Sequence, residues 1–268
     1  MKSIRLQLLV TALAVIVAVP ASWVVYEGYR KTQLHRELHG FFNLVSNGHD
    51  PEVLAIIRRN PDLVNARGPG GYTALHWACH WGRKDTAQLL LSSGADVNAR
   101  NDEQGTPLHE AAGGQSEDNS EVVQLLLVNG SHVNAANEAG DTPLMRATQA
   151  HRRGRVPVLT VLLDHGADVN LANRRGLMPL HLADDDEVAA LLVSRGAHVN
   201  NVDKSGKTSL HFAAMSWSQD SEGVAAFLLS AGADPNTKDN SGRTPLRVAV
   251  EADNQDVAAL LRQHGAKE

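Results

Sequence analysis

The stretch HWACHWG, residues 76–82, places His76, Cys79 and His80 at positions i, i+3 and i+4. On a helix these fall on one face. Two imidazoles and a thiol on one face are the beginning of a metal site or of a histidine-activated thiol. Cys79 is the sole cysteine among 268 residues, which excludes an intrachain disulfide and any zinc site needing two cysteines of this chain. His35 and His39 form a second i, i+4 pair, but zinc usually needs three or four ligands. GPGG at 68–71 has neither the Lys-Ser/Thr pair nor the strand–helix setting of a phosphate loop. No acid–base pair or nucleophile–histidine arrangement rises above chance. The chain reads as a non-enzyme without a cofactor.

The elements that position these residues recur along the chain. GYTALHWA (71–78), QGTPLHEA (104–111), GDTPLMRA (140–147), GLMPLHLA (176–183), GKTSLHFA (206–213) and GRTPLRVA (242–249) align, with starts spaced 33, 36, 36, 30 and 36 residues apart. Each is followed by an apolar run. Five are then closed by a glycine and an Asn-ending tail: GADVN (94–98), GSHVN (130–134), GADVN (166–170), GAHVN (196–200) and GADPN (232–236). A fixed period of this size means stacked units that bury one another's faces. Thr at a helix start caps free N–H groups, and Pro in the first turn costs no hydrogen bond. Leu75, Leu108, Leu144, Leu180, Leu210 and Leu246 point inward, and the glycines stop the second helix of each unit.

These residues resemble the ankyrin repeat, with its Thr-Pro-Leu-His-x-Ala start, Leu-Leu-x-x-Gly end and Gly-Ala-Asp-Val-Asn turn. The resemblance covers about residues 35–268. It implies an all-α solenoid of helix–turn–helix units with projecting hairpin loops. A degenerate leading unit (about 35–67) precedes six full ones: one (68–100), two (101–136), three (137–172), four (173–202), five (203–238) and six (239–268). The resemblance also implies that His76, His109, His181 and His211 brace local loops rather than do chemistry. Met145 and Arg247 stand in for that histidine in units three and six, and a more polar last unit suits a cap. The hairpin residue, usually Asp in the family, is Asp203 and Asp239 here, but Asn101, Asn137 and Asn173 elsewhere, and Gly68 in unit one. A looser first hairpin is expected there. Cys79 stands where other units carry Ala112, Thr148 and Ala214, as a small group between helices.

Units differ most between their two helices. Units two, three and five carry three more residues there than units one and six, and unit four three fewer. A notch is expected at Asp184-Asp185-Asp186, flanked by longer ridges. The ridge of unit three is basic (His151, Arg152, Arg153, Arg155) and that of unit two acidic (Glu117, Asp118, Glu121). Such runs either steer a partner or compensate one another in solvent. In ankyrin arrays the end of the first helix and the hairpin line the concave binding surface. Carried onto this chain, the resemblance makes Tyr72, His80, Trp81, Asp141, His151, Lys207, Met215, Trp217 and Arg243 the partner-binding candidates, with aromatics as anchors.

The N-terminus is separate. Residues 1–5 carry Lys2 and Arg5, and residues 6–26 hold no charge, long enough to span about 30 Å of hydrocarbon as a helix. Trp23, Tyr26 and Tyr29 gather at its far end, followed by Arg30 and Lys31. The pattern predicts an all-α chain with one transmembrane helix, a cytoplasmic N-terminus, a linker at 27–34 and a repeat domain outside the cytoplasm, in the periplasm if the source is bacterial. Cleavage after Ala21 and export is the rival reading. A net charge of −5 does not suggest nucleic-acid binding. The expected activity is capture of a protein partner, as a scaffold, as a protector of an envelope protein, or as a toxin-neutralising binder. The competing class is a metal- or thiol-dependent protein built on His76, Cys79 and His80.

Overall fold

The computed structural model describes residues 37–116, 119–150, 155–216 and 220–267. The leading unit holds α1 (37–47) and α2 (Asp50–Arg59), closed by a 3₁₀ turn at Pro61–Asn65. Full units follow as helix pairs: α3 (Ala74–His80) with α4 (Lys84–Ser92), α5 (Pro107–Gly113) with α6 (Ser120–Val128), and α7 (Pro143–Thr148) with α8 (Arg155–Asp164). Unit four pairs a 3₁₀ turn, Pro179–Leu182, with α9 (Asp186–Ser194). Units five and six contribute α10 (Ser209–Met215) with α11 (Ser221–Ser230) and α12 (Pro245–Glu251) with α13 (Gln255–Gln263). From unit one onward, first helices pack on first helices and second on second, giving two layers with the hairpins along one edge. Among the described residues no helix is long and apolar enough to cross a membrane. The predicted span at 6–26 lies outside them.

The motif residues explain this regularity. All six motif leucines are buried between the layers, each worth about 1.5–3 kcal/mol of transfer free energy. Ala78, Cys79, Ala111 and Ala112 are also buried and let neighbouring first helices approach closely. Gly94, Gly130, Gly166, Gly196 and Gly232 have φ between +83° and +92°, the left-handed stop expected at a helix end.

Three kinds of hydrogen bond fasten one unit to the next. Asn98 at the end of the first tail donates its amide to Gly130 O (3.0 Å) and accepts from His132 N–H (2.9 Å). Asn65, Asn134, Asn170, Asn200 and Asn236 repeat this two-point tie along the array. Backbone bonds between successive hairpins form a second row, from Asp102 N–H to Gly70 O (2.9 Å) through to Asn240 N–H to Ser205 O (2.9 Å). The repeat histidines form the third. In unit one, Thr73 N–H donates to His76 Nδ1 (3.1 Å), so the ring proton sits on Nε2 and reaches Gly105 O in unit two (3.2 Å). His109 and His211 do the same toward Asp141 O (3.0 Å) and Arg243 O (3.1 Å), whereas His181 of the shortened unit four reaches only Asn201 O (3.1 Å), at the end of its own unit. Met145 is fully buried and has no ring nitrogen to offer, so the junction of units three and four lacks this tie.

Two expectations are modified. The residues missing from unit four come out of its first helix, not only out of the connection. Asp185 caps α9 by accepting from Val188 N–H (2.7 Å), which fixes where the second helix starts. The first helix is left as a four-residue 3₁₀ turn. The first hairpin keeps the backbone bond of the others (Gly68 N–H to Tyr72 O, 2.8 Å). In the later hairpins the Asn or Asp side chain accepts one or two further backbone N–H groups, as Asp203 does from Ser205 and Lys207, and Gly68 has none to offer. A Cβ on Gly68 would lie 2.2 Å from the Phe42 ring, so α1 fills the place of the hairpin side chain.

Candidate functional site

On α3 the small and aliphatic positions face the core, and Trp77, His80 and Trp81 are left on the open face of the inner layer. Their rings form a chain with Tyr72 from the preceding hairpin. Ring centroids are 5.3 Å apart for Tyr72–Trp77, 6.3 Å for Trp77–His80 and 5.2 Å for His80–Trp81. Trp81 is 41% exposed, high for so large an apolar group. Trp77 and Trp81 form one wall of an open cleft of about 750 Å³, and Leu38, Phe42 and Asn43 of α1 face them. Pro69 of the first hairpin and Arg83 also line it.

A charged strip continues from the aromatic chain across units two and three. His80 Nδ1 lies 3.1 Å from Glu110 Oε2. Burial pushes the Glu110 carboxyl upward, but the His80 hydrogen bond and charge, helped by Arg146, outweigh it and hold the group below its usual range. Glu110 is therefore a buried carboxylate in its ionised form. Tyr72 is raised above the ordinary tyrosine value, first by burial and then by the negative charge of Glu110. Exposed Arg146 lies over Gly113, where a Cβ would stand 3.2 Å from its Nε. The open face thus reads aromatic, then acidic, then basic, over the first helices of units one to three.

Of the expected binding residues, Tyr72, His80 and Trp81 are brought together. Asp141 receives the Asn173 amide of the next hairpin (2.7 Å). Arg243 is tied to Asp239 (2.8 Å) and Glu251 (3.4 Å), within its own unit. Lys207 and Met215 are half-buried in unit five, and Met215 packs on the core. His151 and Trp217 lie outside the described residues. Arg155 of the basic ridge is buried and bonded to Asp184 (2.5 Å) and to Asp185 of unit four. It compensates the acidic turn, as Lys84 compensates Glu121 at 3.0 Å.

The grouping of His76, Cys79 and His80 separates. Both ring nitrogens of His76 are engaged, and burial lowers its basicity, as it does for His109, His181 and His211. Cys79 is fully buried, and burial pushes its thiol well above the ordinary value, with Glu110 adding to the effect. His80 turns to Glu110. No shared donor set remains on this face. Trp77, Glu110 and Arg146 were not among the sequence candidates, yet all occupy the position after the motif histidine. That position reads Trp, Glu, Arg, Leu, Phe and Val through the six units while its neighbours stay nearly constant. This variability at a fixed offset was the available signal.

Family models of ankyrin repeats match residues 75–127 (many copies) and residues 149–239 and 183–268 (three copies), together more than half of the chain. The chain belongs to the ankyrin-repeat family. The human ASB11 ankyrin repeat domain superposes with a TM-score of 0.73 over 85% of this chain and 98% of that one, at 23% identity, which supports the fold. Human Rabankyrin-5 is 34% identical over 99 residues, 33% of this chain and 8% of that protein. The NF-kappa-B inhibitor cactus of Drosophila yakuba is 37% identical over 93 residues, 34% of this chain and 19% of its own length. The chain therefore spans only a small part of these curated relatives. A Notch-regulated ankyrin repeat-containing protein of Xenopus laevis is 33% identical over 81 residues, 29% of this chain and 71% of its own. Ankyrin-repeat proteins are protein-interaction modules, and the family is generally a non-enzymatic binding scaffold.

Proposed function

We propose that this ankyrin-repeat chain captures a protein partner on the open face of its leading unit and units one to three, with Trp81 as the central anchor. The observation that carries the reading is the exposed Trp81 in a cleft, next to the Tyr72–Trp77–His80 chain and the Glu110–Arg146 strip. Exposed aromatics beside charged groups supply both burial area and orientation at an interface. The name of the cactus relative, an NF-kappa-B inhibitor, agrees with a protein target for such an array. The uncharged run at 6–26 supports an anchored chain with its repeats outside the cytoplasm, where the partner is an envelope protein.

A photo-crosslinking amino acid at position 81 or 146 of the full chain tests the surface. Adducts with one partner from both positions, and none from position 263 on α13, are expected. Adducts from 263 alone would overturn the reading. Membrane fractionation tests the anchor, since a soluble full-length product is incompatible with it.

A further inference from the structure

The cleft at the N-terminal end of the open face has a composition of its own. Its apolar wall is Trp77, Trp81, Phe42 and Leu38. Among the described residues its lining carries Arg67, Arg83 and His39 and no carboxylate. Arg67 is already matched by Asp102 at 2.8 Å. Arg83 is not. Its Nε donates to Ser46 O of α1 (2.8 Å), which ties the side chain to the lining of the cleft. Among the described residues its guanidinium has no carboxylate partner, and it is exposed. An exposed cation without a carboxylate partner and an aromatic wall thus meet at one cavity.

We infer that this cleft binds a short acidic–apolar peptide segment of the partner, a Glu or Asp next to a large apolar residue. The carboxylate pairs with Arg83, fork to fork, where a tethered guanidinium loses little freedom on binding. The apolar side chain lies on Trp81 and Trp77. A basic segment meets repulsion from Arg83, so the group that admits a carboxylate rejects it. The inference rests on the open-face reading and adds the chemistry of what enters it.

The test is a selection of random dodecapeptides on the full chain in mild detergent, with counter-selection on the Trp81→Ala/Arg83→Gln variant. Enriched peptides are expected to share an acidic residue beside Trp, Phe or Leu. Replacing that Glu by Gln should weaken binding about tenfold to the native chain, equivalent to about 1.4 kcal/mol, and leave binding to Arg83→Gln unchanged. A basic consensus, no enrichment, or equal loss on both proteins overturns the inference. Arg83→Gln must melt within a few degrees of the native chain. If it does not, Arg83→Lys, which keeps the charge and loses the fork, takes its place, and the loss on replacing Glu by Gln is then expected to shrink rather than vanish. Crosslinking of a partner at positions 81 and 146 without any acidic consensus would overturn this inference and leave the open-face reading standing.

Discussion

Acidification should unfasten this array through its repeat histidines. In each of His76, His109, His181 and His211, Nδ1 accepts a backbone N–H and Nε2–H reaches a carbonyl twenty or more residues ahead. A second proton has no place to go except Nδ1, where it faces a donor. Burial lowers all four below the ordinary value of 6.5. The sign follows directly. Below about pH 6.5 the unfolded chain takes up protons that the folded chain refuses, so stability is full above that value and falls as pH drops toward the folded values. Between pH 7.5 and 5.5 each such imidazole accounts for at most about 1.4 kcal/mol, and the four together for at most about 5.5 kcal/mol. That is an upper bound, because each folded ring begins to titrate once pH passes its own lowered value. It is still comparable with the whole stability of many domains, about 5–15 kcal/mol. Glu110, Asp203 and Asp239 are held below their usual ranges, so their losses fall in a separate, more acidic window. Urea midpoints by circular dichroism at pH 7.5, 6.5 and 5.5 measure the effect. His109→Met, which copies what unit three carries at the same position, should cost stability at pH 7.5 and flatten the pH slope by up to one proton. A midpoint independent of pH over this range, or an unchanged slope in the variant, would refute the argument.

Other expectations can be checked alongside it. Asn134→Ala removes the ties to Gly166 O and Asp168 N–H and should cost about 1–2 kcal/mol in a urea titration; a change within experimental scatter would show the tails to be ornamental. Gln104 holds φ at +60° where the other hairpins carry glycine, so Gln104→Gly should stabilise by up to about 1 kcal/mol. Gly140→Ala at the matching position should destabilise, because its Cβ would stand 2.8 Å from Arg174 N. Gly68→Ala should lower the melting temperature by driving a methyl into Phe42, and Phe42→Leu should restore part of the loss. Cys79 should react with a disulfide reagent only as fast as the protein opens, and rapid labelling of the native chain would contradict its burial.

The array was legible because its signals repeat. Thr, Leu, Gly and Asn act within one unit, so their spacing reports helix starts, inward faces and stops directly. What escaped reading depends on a partner in another unit. Nothing local to His80 announces Glu110, thirty positions away, and nothing in the Asn tails names the carbonyl of the following unit. Unit four shows the same limit. Counting residues gives the length removed, but only the Asp185 cap, which fixes the start of α9, decides that the first helix gives it up. Trp77 was overlooked for a different reason. It follows the motif histidine, and attention to the constant positions passes over the one position that varies most. His151 and Trp217 fall outside the described residues.

The missing histidine tie at Met145 has a consequence for cooperativity. In a linear array, stability is a sum of unit terms and nearest-neighbour couplings. Every full-unit junction from one to six has an Asn coupling and a hairpin coupling, but three-to-four has no imidazole, and at four-to-five the His181 ring stops at Asn201 O inside unit four. At three-to-four the following first helix is a single 3₁₀ turn, and Arg155 spans the junction to Asp184 and Asp185. The array is therefore most weakly tied at unit four, between a block ending with unit three and a block beginning with unit five, and the Arg155 ion pairs there add to the Asn and hairpin couplings rather than replace them. Hydrogen exchange should find the blocks opening separately, and the block that carries Trp81 can loosen or tighten on a partner without unravelling the other.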